Sequence, residues 1–295
     1  MDADKKPTFR HRIEYLAISV ALGCLSVLPI RLRGNLIAAV ARGIVPLAAG
    51  PRRRMMQNFE LIFPDMPLVE KKKLMRDVVG NAARSLGELL SNRTFKDRLN
   101  LFHATGPGIE ILERQARQGK GAIIVSAHFG QWEAIRHIMR SKGMETGAIY
   151  RENTNPLYEK LFFKNISFGG SPIVARGPAG NRIMVKHLKQ GGFFALLVDQ
   201  KVHADAWLPF MGHPSQTTTS PAALALKYNL PIVPAFALRQ KDGISIEIEF
   251  EAAIEHSDVM TMTQEINDRI GARVRAHPEQ WYWLHKRWES PDFTY

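Results

Sequence analysis

The stretch that decides the fold lies at residues 121–133 and consists of Gly-Ala-Ile-Ile-Val-Ser-Ala-His-Phe-Gly-Gln-Trp-Glu. An apolar, partly β-branched run opens at a glycine and ends at polar residues, which predicts a short buried strand over 121–127. His128 therefore follows at the end of that strand. Residues 131–139 then predict a helix, so Glu133 falls near its first turn.

His128 and Glu133, with four residues between them, are the residue types of a base and its orienting partner. From the first turn of the helix, the carboxylate can fold back toward the imidazole. A carboxylate on one ring nitrogen fixes the tautomer and stabilises the imidazolium, which leaves the other nitrogen free to take a proton from a hydroxyl. The pair alone is equally compatible with a histidine whose hydrogen bonds are satisfied at a strand end.

Apolar runs and helical patterns continue along the chain. Runs occur at 193–198 and 232–237, a helical pattern at 220–228 lies between them, and a further run follows at 244–250. This alternation predicts an α/β fold in which a mixed sheet is flanked by helices. The chain shows no internal repeat, low-complexity tract or long linker, so we expect residues 51–295 to form one domain.

Residues 68–93 have the periodicity of a long amphipathic helix. Its basic side would carry the run Lys71-Lys72-Lys73, which is most often a solvated face. Its predicted apolar side consists of Leu74, Val78, Ala82, Leu86 and Leu89.

Composition limits the possible partners without choosing one. The 295 residues are 45% apolar and carry a formal charge of +12, so the chain can bury a sizeable core and should favour anionic partners. Nucleic acid, phospholipid head groups and an acidic protein all fit that charge. Cys24 is the only cysteine, which excludes an internal disulfide and a cysteine zinc cluster. No His-Glu-x-x-His pattern occurs, and no metal is expected.

The amino terminus is predicted to be an apolar, membrane-associating helical segment. Residues 15–30 carry no charge and have basic residues on both sides. A helix of this length spans roughly 24 Å, short of the roughly 30 Å hydrocarbon core of a bilayer. A second apolar stretch, 35–50, is interrupted by an arginine and a proline and suits a helix lying at an interface. We therefore expect a membrane anchor over 1–50, ahead of the domain at 51–295.

Two other interpretations of this segment remain open. A cleaved signal peptide would explain the basic start and the apolar run, although no convincing Ala-x-Ala site follows and Arg31 interrupts soon after. Both apolar stretches would also serve as ordinary core helices.

Four further polar residues are candidates for substrate binding. Asp199 follows the second apolar run as His128 follows the first, and ligands tend to bind at the carboxyl edge of a sheet. Arg151 and Arg176 each follow an apolar run, where a guanidinium can hold a phosphate or sugar acid through two hydrogen bonds. Gln131, at the start of the predicted helix, is the fourth. Asp199 would equally serve as a helix cap or turn residue, and either arginine as a surface cation.

Several short motifs accompany the His128 motif in order along the chain. They are Asn155-Pro-Leu-Tyr158, Arg176 before Leu188-Lys-Gln-Gly191, Val198-Asp-Gln200, Leu208-Pro-Phe-Met-Gly212, Thr217-Thr-Thr219 and the terminal run 278–288. The histidine, four residues and acidic residue look like the first motif of the glycerolipid and lysophospholipid acyltransferases. The whole set resembles the lipid A biosynthesis lauroyl and myristoyl acyltransferases of Gram-negative bacteria.

The resemblance implies a secondary acylation in lipopolysaccharide biosynthesis. A fatty acyl group would pass from acyl carrier protein to a hydroxyl of a lipid A precursor, without a cofactor, at the cytoplasmic side of the cell inner membrane. The partners implied are the carrier protein, an anionic glycolipid acceptor and the membrane surface, and no nucleic acid. Arg176 matches the family's arginine better than Arg151 does. The 208–212 motif resembles the acceptor-side block of the family, although these residues would also form a simple turn.

Direct transfer is the expected mechanism. Cys24 lies in the apolar amino-terminal segment, and no Gly-x-Ser-x-Gly motif displays a serine nucleophile. In direct transfer, His128 deprotonates the acceptor hydroxyl, the oxygen attacks an acyl thioester, and Glu133 keeps the base oriented. The sequence does not name the oxyanion donors, although backbone amides after His128 are suited to that role.

The carboxyl-terminal tryptophans allow two interpretations. Trp281, Trp283 and Trp288, with the basic residues among them, would form an amphipathic edge at a membrane interface. Alternatively two of them belong to the core, which is favoured for Trp283.

Two alternative functions are kept. One is acylation of a lysophospholipid or another glycolipid. The other is a non-catalytic basic protein that binds a membrane or nucleic acid, which explains the charge but leaves the His128 and Glu133 arrangement unused.

Overall fold

The computed structural model describes residues 6–201 and 206–289. Its helices are α1 (Phe9–Ser26), α2 (Ile30–Ile44), α3 (Ala49–Ile62), α4 (Leu68–Leu89), α5 (Gly108–Arg117), α6 (Glu133–Ser141), α7 (Pro156–Ile166), α8 (Pro178–Lys189), α9 (Ser220–Tyr228) and α10 (Val259–Ala276). Its strands are β1 (Phe102–Thr105), β2 (Ala122–Ser126), β3 (Thr146–Tyr150), β4 (Ile173–Ala175), β5 (Phe193–Leu197), β6 (Ala206–Phe210), β7 (His213–Thr217), β8 (Ile232–Arg239) and β9 (Ile246–Phe250). Short 3₁₀ segments connect several of these elements.

Seven strands form one mixed sheet in the order β1-β9-β8-β2-β5-β3-β4. The five strands from β8 to β4 are parallel, whereas β9 runs antiparallel to β8, and β1 is parallel to β9. Parallel strands need crossover connections, and the intervening helices supply them. The predicted α/β fold with a mixed sheet flanked by helices is therefore confirmed.

Alternation along β2 explains why the sheet is covered on both faces. Every residue of this strand is buried. Ile123 and Val125 point into one hydrophobic cluster, while Ala122 and Ile124 point into another. Since successive side chains of a strand face opposite sides, an uninterrupted apolar run is what a strand between two helical layers requires. Replacing one of these isoleucines with alanine should cost roughly 2–5 kcal/mol of stability.

The strand and helix predictions around β2 differ from the structure only at their ends. Helix α6 begins at Glu133, two residues later than expected, because the backbone N–H of Gln131 donates to the carbonyl of Ala237 on β8 (2.9 Å) instead of entering a helix. Helix α9 has the predicted bounds, and the run at 244–250 becomes strand β9 from Ile246.

The long helix α4 differs from its predicted amphipathic pattern at two residues. Leu86 is exposed, although it was placed on the apolar side. Lys71 is buried and its ammonium donates to Glu60 at 2.7 Å. An unpaired charge is costly to bury, so the ion pair accounts for the burial of Lys71.

The helix predicted over 15–30 ends earlier than expected, and the second apolar stretch, 35–50, lies mostly in a separate helix. Helix α1 ends at Ser26, and Pro29 stands directly before α2, since proline cannot continue a helix but suits its start. Helix α1 packs on α7, and α2 packs on α4. Within the described residues, no single helix has the length and apolar character to cross a membrane. The segments Ile30–Leu47 and Ala49–Ile62 meet those criteria only as a pair bent by 89°.

The motif at 208–212 forms the end of an antiparallel hairpin. Strands β6 and β7 pair from Ala206 with Thr217 to Phe210 with His213. Met211 and Gly212 make the two-residue turn with φ of 54° and 90°, and positive φ at both positions is typical of the turn that matches strand twist. The motif therefore forms a turn, and the acceptor-side role that the resemblance implies stays a prediction.

Candidate active site

His128 lies just beyond β2, and the carboxylate of Asp199 holds it at two points. The ring Nδ1 lies 2.9 Å from Asp199 Oδ1, and the backbone N–H of His128 donates to Oδ2 at 3.0 Å. The side chain of His128 is 25% exposed, whereas that of Asp199 is almost fully buried. The Nδ1 edge of the imidazole is therefore held by Asp199, and the ring remains partly exposed to solvent.

Strand register explains why these two residues meet. Strands β2 and β5 are parallel neighbours, and Ser126 lies opposite Leu197. Two residues further along each strand come His128 and Asp199. The sequence placed both at the carboxyl edge of the sheet, and the structure brings them into direct contact.

Asp199 is ionised, although it is buried. Burial raises the pKa of its carboxyl group, but the positive charge of His128 and the hydrogen bonds from His128 and Trp281 outweigh burial and hold the pKa below its ordinary value. The indole N–H of Trp281 donates to Oδ2 at 2.8 Å. An ionised carboxylate accepts hydrogen bonds and donates none, so Nδ1 of His128 carries a proton, and whenever the ring is neutral Nε2 presents its lone pair.

The ring of His128 is enclosed by aromatic residues. Trp132 meets it edge-on with a centroid distance of 5.3 Å, and Tyr282 lies at 6.3 Å. The backbone N–H of Tyr282 donates to the carbonyl of His128 at 3.0 Å. The carboxyl-terminal segment therefore helps to hold the histidine, and this arrangement has what a general base needs: a fixed tautomer, a stabilising carboxylate and an available nitrogen.

Glu133 occupies a position different from the predicted one. The carboxylate on the His128 ring is Asp199, not Glu133. Oε2 of Glu133 instead accepts from Arg136 at 3.0 Å and from the side-chain amide of Asn92 at 3.3 Å. Arg136 also donates to the carbonyl of Gly170 at 2.7 Å. This buried pair ties the start of α6 to the segment before β4. Arg136 is buried and needs a counter-charge, so the carboxylate of Glu133 pairs with it and not with the His128 ring. A role for Glu133 in catalysis stays a prediction.

Gln131 is also turned into the protein. It is 1% exposed, and its amide donates to the carboxylate of Glu88. Glu88 in turn pairs with Arg239 at 2.6 Å and with Arg98 at 3.4 Å. Through Gln131, this buried charged cluster holds the loop that follows His128 in place. The structure gives Gln131 this supporting position instead of the substrate-facing one that the sequence predicted.

Arg151 and Arg176 lie side by side at the same edge of the sheet. Strands β3 and β4 are parallel, Tyr150 lies opposite Ala175, and the N–H of Arg176 donates to the carbonyl of Tyr150 at 2.8 Å. Both arginines are exposed, and neither forms an ion pair with any residue in the described part of the chain. Since β3 adjoins β5, the edge presents His128, Asp199 and then the two arginines in order along neighbouring strands.

The first three backbone amides after His128 are engaged in hydrogen bonds within the protein. The N–H of Phe129 donates to Ala127 at 2.7 Å, that of Gly130 to Gln280 at 2.8 Å, and that of Gln131 to Ala237 at 2.9 Å. Gly130 has φ of 54°, and a Cβ on it would lie 1.9 Å from the carbonyl oxygen of Ala237. Only glycine fits this tight turn. Of the amides that the sequence suggested, these three are therefore already engaged in the turn that joins β2 to β8 and to the carboxyl-terminal segment.

The chain matches, over residues 3–290, the family described as bacterial lipid A biosynthesis acyltransferase. It belongs to this family. A lipid A biosynthesis acyltransferase of Haemophilus influenzae is 23% identical over 269 residues, covering 88% of this chain and 82% of the relative. The lipid A biosynthesis myristoyltransferase of Escherichia coli is 19% identical over 271 residues, covering 90% and 84%. A phosphatidylinositol mannoside acyltransferase of Mycobacterium tuberculosis is 21% identical over 185 residues, covering 61% and 58%.

Membership confirms the family and the class of enzyme. This lipid A acyltransferase family member is an O-acyltransferase, as the sequence predicted. Within residues 6–201 and 206–289, no three histidine, cysteine, aspartate or glutamate side chains are grouped so that they could hold a metal ion.

In this family member the terminal tryptophans belong to the core. Trp281, Trp283 and Trp288 are each at most 1% exposed, and their rings contact one another at centroid distances of 4.8–6.1 Å. Arg287 is also fully buried, with its guanidinium donating to Thr217 at 2.9 Å. The interfacial edge predicted as one alternative is therefore wrong, because this segment packs against the sheet and orients Asp199.

Two residues of the site were missed from the sequence. Trp281 was considered only as core or interface, whereas its indole N–H is a ligand of the Asp199 carboxylate. His285 lies close enough to Asp199 and His128 for both to affect its pKa, which burial lowers to about 4. Its Nδ1 is buried without a hydrogen-bond partner among the described residues. His285 is therefore neutral near the base, and nothing in its local sequence pattern indicated this.

Proposed function

We propose that the protein transfers a fatty acyl group from acyl carrier protein to a hydroxyl of a lipid A precursor, with His128 as the general base. The observation that carries this proposal is the His128–Asp199 pair, in which a buried carboxylate holds Nδ1 and leaves Nε2 for a substrate. Asp199 takes the orienting role that the sequence assigned to Glu133. Glu133, with Arg136, positions the helix that follows the histidine.

In this mechanism Nε2 of His128 removes the proton of the acceptor hydroxyl as its oxygen attacks the thioester carbonyl carbon. The new C–O bond forms, and the carbonyl electrons move to oxygen in a tetrahedral intermediate. When the carbonyl re-forms, the C–S bond breaks, and the imidazolium returns its proton to the departing sulfur. Asp199 stabilises the positive ring between these two proton transfers, because its charge lies 2.9 Å from Nδ1.

We assign acceptor binding to the paired arginines. Arg151 and Arg176 are exposed, adjacent and without ion pairs in the described part of the chain. Two guanidinium groups can hold a phosphate or sugar carboxylate bidentately. They lie along the same sheet edge as His128, so an anionic head group on them would place the rest of a glycolipid over the base.

We further propose that the enzyme works at the cytoplasmic side of the cell inner membrane, with residues 1–50 as the membrane-associating part. Large apolar side chains on α1 and α2 are exposed, among them Phe9 (79%), Leu16 (63%) and Val20 (56%). The net charge of +12 favours both an acidic carrier protein and an anionic surface. No cofactor is part of the proposed reaction.

A second acceptor is supported by one comparison. The match to a phosphatidylinositol mannoside acyltransferase favours acylation of a different glycolipid. It covers a smaller share of the chain than the lipid A relatives do, so the lipid A precursor is preferred. A lysophospholipid acceptor has no comparable support, and the non-catalytic alternative is excluded by membership in an enzyme family.

Mass spectrometry of lipid A from cells with and without this protein tests the proposal. Loss of the gene should remove one acyl chain from the glycolipid, and the wild-type gene should restore it. The His128→Ala gene should not restore it, while His103→Ala, which changes an exposed histidine on β1, should. Unchanged lipid A in the deletion strain, with altered phospholipids or other glycolipids, would refute the assigned acceptor.

A further inference from the structure

A groove of about 640 Å³ runs between α3 and α4 on the outside of the domain. Its floor is apolar and includes Met56 of α3 with Leu68 and Met75 of α4. Its rim carries basic residues from both helices, Arg52, Arg53 and Lys72. None of these residues has a role in the proposed acyl transfer.

Helical spacing explains this arrangement. On α3, Met55, Phe59 and Ile62 form the buried side, so Arg52 and Met56, four residues apart, share a different side of the helix. On α4, Leu68, Lys72 and Met75 follow one another at i, i+4 and i+7 and also form one stripe. Two amphipathic stripes therefore face each other, each with apolar and basic residues.

Among the described residues, the basic residues of the rim have no counter-charges, unlike their neighbours. Lys71 pairs with Glu60 at 2.7 Å, and Lys73 pairs with Asp77 at 2.9 Å. Arg52, Arg53 and Lys72 are exposed, and none of them forms an ion pair within the residues that the structure describes. Glu60 lines the adjoining groove beside Arg53, but its carboxylate is engaged with Lys71. Three positive charges thus border an apolar floor.

We propose that this groove binds an anionic phospholipid of the membrane, with an acyl chain on the floor and the phosphate between the three cations. Exposed apolar residues also flank the lining residues along the chain. They include Leu47 (79%), just before α3, and Val69 (79%), in the first turn of α4. The basic rim around the apolar floor favours an anionic lipid over a zwitterionic one, because basic residues are attracted to anionic lipid head groups. The site gives a specific contact to the membrane association proposed above.

Vesicle co-sedimentation of the full-length protein tests the inference. The probes are phosphatidylcholine vesicles with and without phosphatidylglycerol. The variant Arg52→Gln/Arg53→Gln/Lys72→Gln should bind the phosphatidylglycerol vesicles on the order of a hundredfold more weakly than wild type, since each basic residue at an anionic surface contributes roughly fivefold. Binding to pure phosphatidylcholine should change little. A thermal melt checks that the three exposed substitutions leave the fold intact.

The matched control is Arg117→Gln/Lys120→Gln/Lys186→Gln. These residues are also exposed and the variant loses the same charge, but Arg117 ends α5 and Lys120 precedes β2, away from the groove. Binding of this control variant to the phosphatidylglycerol vesicles should stay within about threefold of wild type. That result distinguishes a specific site from a general effect of net charge. Equal losses in both variants, or none in the groove variant, would overturn the inference.

Two further measurements exclude other occupants. The wild type should bind dioctanoyl phosphatidylglycerol below its micelle concentration and should not bind glycerol 3-phosphate. If the groove variant keeps vesicle binding but loses binding of acyl carrier protein, the groove is a protein-docking site and the lipid inference is wrong. His128→Ala protein should bind vesicles like wild type, so a failure of the proposed reaction would not be mistaken for a failure of this site.

Discussion

Replacing Asp199 with asparagine should trap His128 in the wrong tautomer without unfolding the protein. Oδ2 of Asp199 accepts two hydrogen bonds, from the backbone N–H of His128 at 3.0 Å and from Trp281 at 2.8 Å. The carbonyl oxygen of an asparagine must take that position, because two N–H groups point to it. Its NH₂ group then faces Nδ1 of His128, which must accept. The proton of the ring moves to Nε2, the nitrogen that the base needs free.

The expected loss follows from two contributions. The charged hydrogen bond to the ring is worth about 1.5–3 kcal/mol, and returning the ring to the active tautomer would leave two donors facing each other at about 1–3 kcal/mol. Together they raise the barrier by roughly 2.5–6 kcal/mol, which lowers kcat on the order of 10² to 10⁴-fold. Asp258→Asn is the control, since Asp258 caps α10 and asparagine caps a helix about as well.

The assay is steady-state acyl transfer with both substrates saturating, accompanied by urea unfolding as a function of pH. The folded pKa of Asp199 lies below its ordinary value. Its contribution to stability is therefore complete above about pH 4 and disappears as the pH falls through the folded pKa. The difference in unfolding free energy between wild type and Asp199→Asn should shrink below about pH 4. A kcat within fivefold of wild type would refute the role of Asp199.

Three further substitutions test the neighbouring assignments. Arg176→Lys keeps the charge but loses the bidentate geometry, so kcat/KM for the glycolipid should fall roughly ten- to a hundredfold with the carrier-protein donor unaffected, while Arg151→Lys should have a smaller effect; equal losses toward both substrates would make Arg176 structural. Trp281→Phe removes one donor from a buried carboxylate and should lower the unfolding free energy by about 1.5–3 kcal/mol in urea titrations, and an unchanged midpoint would contradict the hydrogen bond. Glu133→Gln weakens the buried pair with Arg136 and should cost up to roughly 3–5 kcal/mol of stability while kcat of the folded protein stays within tenfold; a collapse of kcat at unchanged stability would instead place Glu133 in the chemistry.

The centre of the fold could be predicted because each of its strands is a short, continuous apolar run. Strand β2 and helix α9 follow directly from local pattern, and both lie within one or two residues of their predicted bounds. Strands β1, β3 and β4 were missed, because runs of three to five residues are too short to show a clear strand pattern. The break at Pro29 was overlooked because hydropathy alone makes 15–30 look continuous.

The partner of His128 shows why part of the site could not be predicted. Spacing along the chain favoured Glu133, five residues away, whereas the contact to Asp199 joins residues 71 positions apart. That contact depends on β2 and β5 being neighbours in the sheet, and strand order is not written in any local pattern. Trp281 enters from still further along the chain, 82 residues from Asp199.

The most direct test of the central claim is transfer of an isotopically labelled acyl group from acyl carrier protein to a purified lipid A precursor, followed by mass spectrometry of the glycolipid. Wild-type protein and the His103→Ala control should increase the mass of the precursor by one labelled acyl group. His128→Ala protein, with an unchanged thermal melt, should transfer on the order of 10² to 10⁴-fold more slowly, since the attacking hydroxyl has lost its base. Transfer by His128→Ala within tenfold of wild type would contradict the account.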